Sequence, residues 1–251
     1  MIGTPRSGNT WLRRVLATAY GFDTEAGREL AVHDPASINW AQLPQRTIVQ
    51  VHLSLTPRMS GHLAGHGVRV VVPRRHPFDV LISILQYAGR IHDTENWLLG
   101  EAGNEAALRA PGIHPGHPTF LDYATGPRAR ALLAVSPRWS SVSGAIANRY
   151  ETMVADPAAS LERLAAQLGV APEISWAEAL AINSMEELRK THTRAHMWQG
   201  RPGHWRRLLT PEVARTLADA HRAILDEQGD SDQADPELTP ELALAHWRSI
   251  V

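Results

Sequence analysis

A loop bounded by two glycines near the start of the chain constrains the fold more than any other stretch. It reads Gly3-Thr4-Pro5-Arg6-Ser7-Gly8-Asn9-Thr10 and runs directly into Trp11. Glycine at both ends lets the backbone curl and turn its N–H groups inward. Trp11, Leu12, Val15, Leu16, Ala19 and Tyr20 then recur at helical spacing, so a helix starting at Asn9 or Thr10 is expected. A curled loop feeding a helix N-terminus suits an anion, because free N–H groups and the helix dipole both favour negative charge. Only Met1 and Ile2 precede Gly3. The strand that feeds the loop is therefore expected to be very short or to begin upstream.

The spacing is that of a phosphate-binding loop, G-x-x-x-x-G-K-[ST], with Asn9 at the lysine position and a cation, Arg6, at the apex. A nucleotide triphosphatase needs that lysine on its β- and γ-phosphates, so Asn9 argues against ATP or GTP hydrolysis.

At 251 residues, with 43% apolar and 20% charged residues, the chain is expected to form one α/β domain with a real core. The core is expected over 1–228, followed by an acidic linker and a terminal helix over 229–251. Lys plus Arg number 25 against 26 Asp plus Glu, so no global field draws the chain to nucleic acid or a membrane surface. The absence of cysteine excludes disulfides and thiolate chemistry. No run of 18 apolar residues occurs and no signal peptide precedes the loop, so a cytoplasmic location is expected.

Strands are expected over 46–55, ending near His52, over 68–74 with its run of valines, and over 145–150. Helices are expected over 60–67, 77–88, parts of 119–135 with a break at Gly126-Pro127, 157–168 behind an Asp156 cap, 175–190, 211–227 and 239–249. Residues 21–45 and 92–118 read as loop, the latter as an insert of the kind that forms lids. Strands followed by helices give a doubly wound parallel sheet with helices on both faces.

Three further features carry chemistry. Arg75 ends a strand, with Asp79 and Ser83 following; strand C-terminal ends are where such sheets bind ligands, and an arginine with a hydroxyl suits a phosphate. Alone, Arg75 is more simply paired with Asp79. His52 sits at another strand end, where a neutral imidazole can take a proton, though a lone histidine is more often structural. Arg149-Tyr150-Glu151 precedes Asp156-Pro157.

Together these segments resemble the sulfotransferases that use 3′-phosphoadenosine 5′-phosphosulfate (PAPS). That family's P-K-S-G-T-T-W loop compares with Pro5-Arg6-Ser7-Gly8-Asn9-Thr10-Trp11, and its Arg…Asp…Ser motif with Arg75, Asp79 and Ser83. Its K-T-H-L-P-L compares with Gln50-Val51-His52-Leu53-Ser54-Leu55, and its Y-E-D-(L/M)…D-P with Tyr150-Glu151-Thr152-Met153…Asp156-Pro157. Its C-terminal R-K-G-x-x-G-D-W-(K/R) compares with residues 198–206, WQGRPGHWR.

The resemblance covers roughly residues 1–228 and implies a nucleotide-binding fold of P-loop type. It implies His52 as general base and Arg6 beside the leaving phosphate. It also implies donor binding by Pro5, Arg6, Ser7, Gly8, Asn9, Thr10, Trp11, Arg75, Ser83, Ser184, Met185, Gln199 and Gly200. PAPS is then the donor co-substrate and a small-molecule hydroxyl the acceptor, with residues 21–45, 86–118 and the C-terminal helices around it. The sulfuryl group carries less charge than a γ-phosphoryl, so no magnesium clamp is required, and no metal site is expected.

A homodimer is a further option; nucleic acid and membrane are not expected partners. The chain departs from the pattern at Arg6, Gln50, Trp198-Gln199 and His204, where the family has Lys, Lys, Arg-Lys and Asp. Arg194, His196 and Arg201 are candidates to make good the missing cations. Two other readings stay open: a P-loop small-molecule kinase, and a non-catalytic nucleotide-binding member of the same family.

Overall fold

A computed structural model describes residues 1–22, 44, 46–91, 94, 97–98, 103–191 and 198–251, with the side chain of Thr191 excepted. Residues 23–43 and 45 of the loop expected over 21–45, residues 92–93, 95–96 and 99–102 of the insert expected over 92–118, and Arg194 and His196 lie outside the described residues.

The sheet is parallel and short. Strand β1 (Val71–Arg74) pairs with β2 (Ile146–Arg149), Val71 opposite Ile146 and Arg74 opposite Arg149. On the other side of β1, the Ile2 N–H donates to the Val71 carbonyl (3.0 Å), and Ile2 forms an isolated parallel bridge with Val51. The expected strand over 46–55 is corrected by this. Only Met1 to Gly3 run beside it before the chain curls into the loop, so its described ladder with them is one bridge long.

Valines decide the layering. Side chains alternate faces along a strand, and Val71 belongs to one hydrophobic cluster with Leu12, Leu16, Ile146, Leu161 and Trp176 while Val72 belongs to another with Phe78, Leu81, Trp139, Trp205 and Leu217. The first cluster is supplied by α1 (Asn9–Tyr20), α8 (Pro157–Leu168) and α9 (Trp176–Ile182). The second rests on α3 (Pro77–Ala88), α6 (Val135–Ser140) and α11 (Pro211–Gln228).

Helix α2 (Pro57–Gly65) begins earlier than the expected 60–67, because the Thr56 hydroxyl accepts from the Met59 N–H and Pro57 opens the first turn. The 119–135 segment becomes α4 (Pro118–Thr125) and α5 (Pro127–Leu133), broken at Gly126-Pro127 as expected, and α6 follows. Strand β2 passes without a turn into α7 (Tyr150–Ala155).

The single helix expected over 175–190 is two, α9 and α10 (Met185–Thr191). Asn183 ends the first by donating its amide to the Ala179 carbonyl (2.8 Å) and the Thr18 hydroxyl (2.9 Å), and the Ser184 hydroxyl accepts from Glu187 N–H to start the second. Helix α12 (Pro240–Ile250) closes the chain. No helix among the described residues is long and apolar enough to cross a membrane.

The stretch expected as an acidic linker is tied down across the C-terminal ends of both strands. Arg74 Nε donates to Gln228 Oε1 (3.2 Å), Arg149 Nη1 to the Gln228 carbonyl (3.1 Å), and Arg149 pairs with Asp230. His76 Nε2 donates to the Ser231 carbonyl (2.9 Å).

Candidate functional site

Each parallel segment delivers a residue of the site to the same edge just after its last paired residue. Gly3 follows Ile2, His52 follows Val51, Arg75 follows Arg74 and Tyr150 follows Arg149. A cavity of about 280 Å³ opens there. It is lined by Pro5, Arg6, Gly8, Asn9, Thr10 and Trp11 of the loop and α1, by His52, Arg75 and Ser83, and by Ser184, Met185, Gln199 and Gly200. One residue expected in the donor site does not line it: the Ser7 hydroxyl is buried without a hydrogen-bond partner.

The loop is held by its own side chains. Asn9, at the lysine position of a nucleotide triphosphatase loop, is buried and donates its amide to the Thr4 carbonyl (2.8 Å). Thr4 is fastened in turn, its N–H to the Ser136 hydroxyl (2.7 Å). Gly8 has φ +85°, and a Cβ there would stand 2.7 Å from Cδ2 of Tyr150. Glycine thus serves twice, allowing the left-handed turn and letting the tyrosine ring lie on the backbone. Arg6 takes a positive φ of 66° without being glycine, and its carbonyl accepts from Arg75 Nη1 (3.1 Å).

The Arg6 guanidinium points along α3. Its Nε donates to the Ser83 hydroxyl (3.1 Å), and it lies 4.4 Å from the Tyr87 ring centroid. Arg75 sits 4.5 Å from the Tyr150 ring centroid and gives Nη2 to the Arg201 carbonyl (3.3 Å), while its Nε is buried without a hydrogen-bond partner. Asp79 is not paired with Arg75. It is buried and accepts from the Gly203 N–H (2.5 Å) and the Trp205 N–H (3.1 Å), fixing the C-terminal motif to α3.

His52 is half-buried, and its Nδ1–H donates 2.6 Å to the Gly3 carbonyl. That bond fixes the tautomer and leaves Nε2 as the basic nitrogen. Loss of water around the ring lowers its pKa to about 4; the Gly3 bond opposes this, and the nearby Arg6 cation adds a lesser lowering effect. The imidazole is therefore neutral at physiological pH. Trp11 is fixed at its edge, Nε1–H donating 3.0 Å to the Asn183 carbonyl, with its ring on the cavity. Burial raises the pKa of the Tyr150 phenol, keeping it protonated.

Sequence reasoning gave Tyr87 and Trp97 only as part of the 86–118 stretch around the acceptor, and gave Tyr150 and Asn183 no role at the cavity they line. Tyr87 lies four residues beyond Ser83, one helical turn on the same face of α3, and that spacing was a usable signal. Trp97 stacks on Tyr87 (5.6 Å, 30°) from an insert that carries no periodicity to announce it. His62 of α2 and His66 just beyond its end lie with ring centroids 4.4 Å apart and tilted by 47°, and no group of three metal-ligating side chains occurs among the described residues.

Neither protein-family models nor curated protein sequences give a match to the chain. Among solved structures, the chain is similar to a mouse sulfotransferase, SULT7A1, complexed with PAP. The TM-score is 0.64 at 16% identity, covering 89% of this chain and 82% of that one. With its parallel sheet between two helical layers, the chain has the sulfotransferase fold.

Proposed function

We propose that the chain is a PAPS-dependent sulfotransferase acting on the hydroxyl of a small-molecule acceptor. The reading takes the sheet as doubly wound and of P-loop type. The observation that carries it is the convergence of the loop, Trp11, Arg75, Ser83 and a tautomer-fixed His52 on one cavity. The PAP carried by the structurally similar mouse enzyme supports the same donor.

In the proposed step, His52 Nε2 takes the acceptor's proton while the acceptor oxygen bonds to sulfur. The bond between sulfur and the bridging phosphate oxygen breaks, and its electron pair leaves with adenosine 3′,5′-bisphosphate (PAP). Loop N–H groups and the Arg6 cation stabilise charge growing on that phosphate. Trp11 offers its ring to the adenine, with Ser184 and Met185 beside it, and Arg75 and Ser83 receive the 3′-phosphate. Gln199 and Gly200 complete the donor wall. Tyr87 and Trp97 give the acceptor an aromatic surface. The reading carries with it a cytoplasmic location and, as quaternary option, a homodimer.

The test is thermal stability with PAP and, separately, with magnesium-ATP. A ligand at about 100 times its Kd adds roughly 2.7 kcal/mol, a clear rise in Tm. A rise with PAP alone supports the sulfotransferase. A rise with magnesium-ATP alone moves the reading to a kinase. A rise with PAP but no sulfuryl transfer to any phenol or alcohol leaves a nucleotide-binding protein without turnover.

A further inference from the structure

Trp198, Gln199 and Gly200 form one wall of the cavity, and the segment 198–205 that carries them is held from three helices. From α10, Arg189 Nη2 donates to the Trp198 carbonyl (2.7 Å). From α3, Asp79 accepts the Gly203 and Trp205 N–H groups. The third attachment comes from the end of the chain. The Trp198 indole Nε1–H donates 3.0 Å to the Ile250 carbonyl in the last turn of α12, and its ring meets Trp247 edge-on at 6.2 Å. A carbonyl at a helix C-terminus has no intrahelical partner, so this bond satisfies both groups.

The wall needs such bracing because of what it lacks. Trp198 and Gln199 carry no charge, yet with Gly200 they line the cavity that Arg75 and Ser83 also line. A flexible cation can follow an anion, whereas an amide side chain and backbone dipoles hold one only from a fixed position. Gly200, at φ +67°, sets that backbone in a turn packed against Met185.

We infer that α12 is a structural part of the donor site, and that Trp198 is a positioning residue coupling this helix to Gln199 and Gly200. The inference rests on the proposed donor and goes beyond it, since it draws a terminal helix outside the nominal core into nucleotide affinity.

The experiment is calorimetric PAP binding to the unaltered chain, Trp198→Phe and Trp247→Leu, with KM for PAPS and kcat measured on each. Trp198→Phe keeps an aromatic ring and deletes the indole donor. The expected result is a Kd for PAP about 3- to 10-fold weaker, the size of one lost hydrogen bond, with the same factor in KM and a smaller change in kcat. Trp247→Leu should move in the same direction; should it not fold, Trp198→Phe carries the test. Unchanged Kd in folded Trp198→Phe overturns the inference, as does a fall confined to kcat. An unaltered chain that binds no PAP overturns the donor assignment itself, a distinct outcome that removes this inference with it.

Discussion

His52 shows how one hydrogen bond and one environment define a side chain. With Nδ1 donating to Gly3 and the ring partly withdrawn from water beside Arg6, the imidazole stays neutral until pH falls to about 4. If His52 is the base, the acid limb of kcat/KM should fall near pH 4 rather than 6.5, and a pH–rate profile reads it directly. His52→Ala should lower turnover roughly 10²- to 10⁴-fold; undiminished turnover would remove His52 from the step. Gly8→Ala tests the loop separately. It places a Cβ at positive φ and against the Tyr150 ring, so both Tm and PAP affinity should drop. The histidine's position at a strand end was legible in the sequence. Its tautomer was not, because that depends on the Gly3 carbonyl 49 residues away. Asn9 was legible as a missing lysine, yet its inward bond to Thr4 had no sequence signal.

Elements read well where the signal was local and poorly where it was tertiary. Helix α8 was marked by its Asp156 cap, Pro157 and Gly169, and the structure supplies the Asp156 bond to the Ala159 N–H. Asp156→Ala should cost about 1 kcal/mol in denaturant unfolding and leave PAP binding in place. By contrast, the division of 175–190 into α9 and α10 turns on Asn183 reaching across to Thr18 of α1, a partner no local pattern identifies. The same division sets Asn183 and Ser184 at a helix junction, where the Asn183 carbonyl meets the Trp11 indole. Strand 46–55 fails for a related reason: β-branched composition announces an extended segment, but ladder length belongs to its neighbour.

At the scale of the molecule, the sequence placed the phosphate loop, the second motif and the histidine at separate positions, and the parallel sheet brings them to one edge. The sheet order was not legible, since it is set by the Ile2 N–H bond to the Val71 carbonyl and the Val51 N–H bond to the Met1 carbonyl. Folding also couples His52 to stability. Its folded pKa lies below the unfolded value near 6.5, so the unfolded chain binds the proton first. Stability contributed by the neutral ring is complete above pH 6.5 and is lost as pH falls toward 4. Urea midpoints measured between pH 7 and 4 should fall in the wild-type chain and fall less in His52→Ala.

Asp79 belongs to this scale as well, for its carboxylate ties α3 to residues 203 and 205 through two backbone N–H groups. An acid retained for that reason answers to packing. A chain of this fold that transferred nothing would keep it for the same packing, so the aspartate of the arginine–aspartate–serine spacing marks the fold and not an activity.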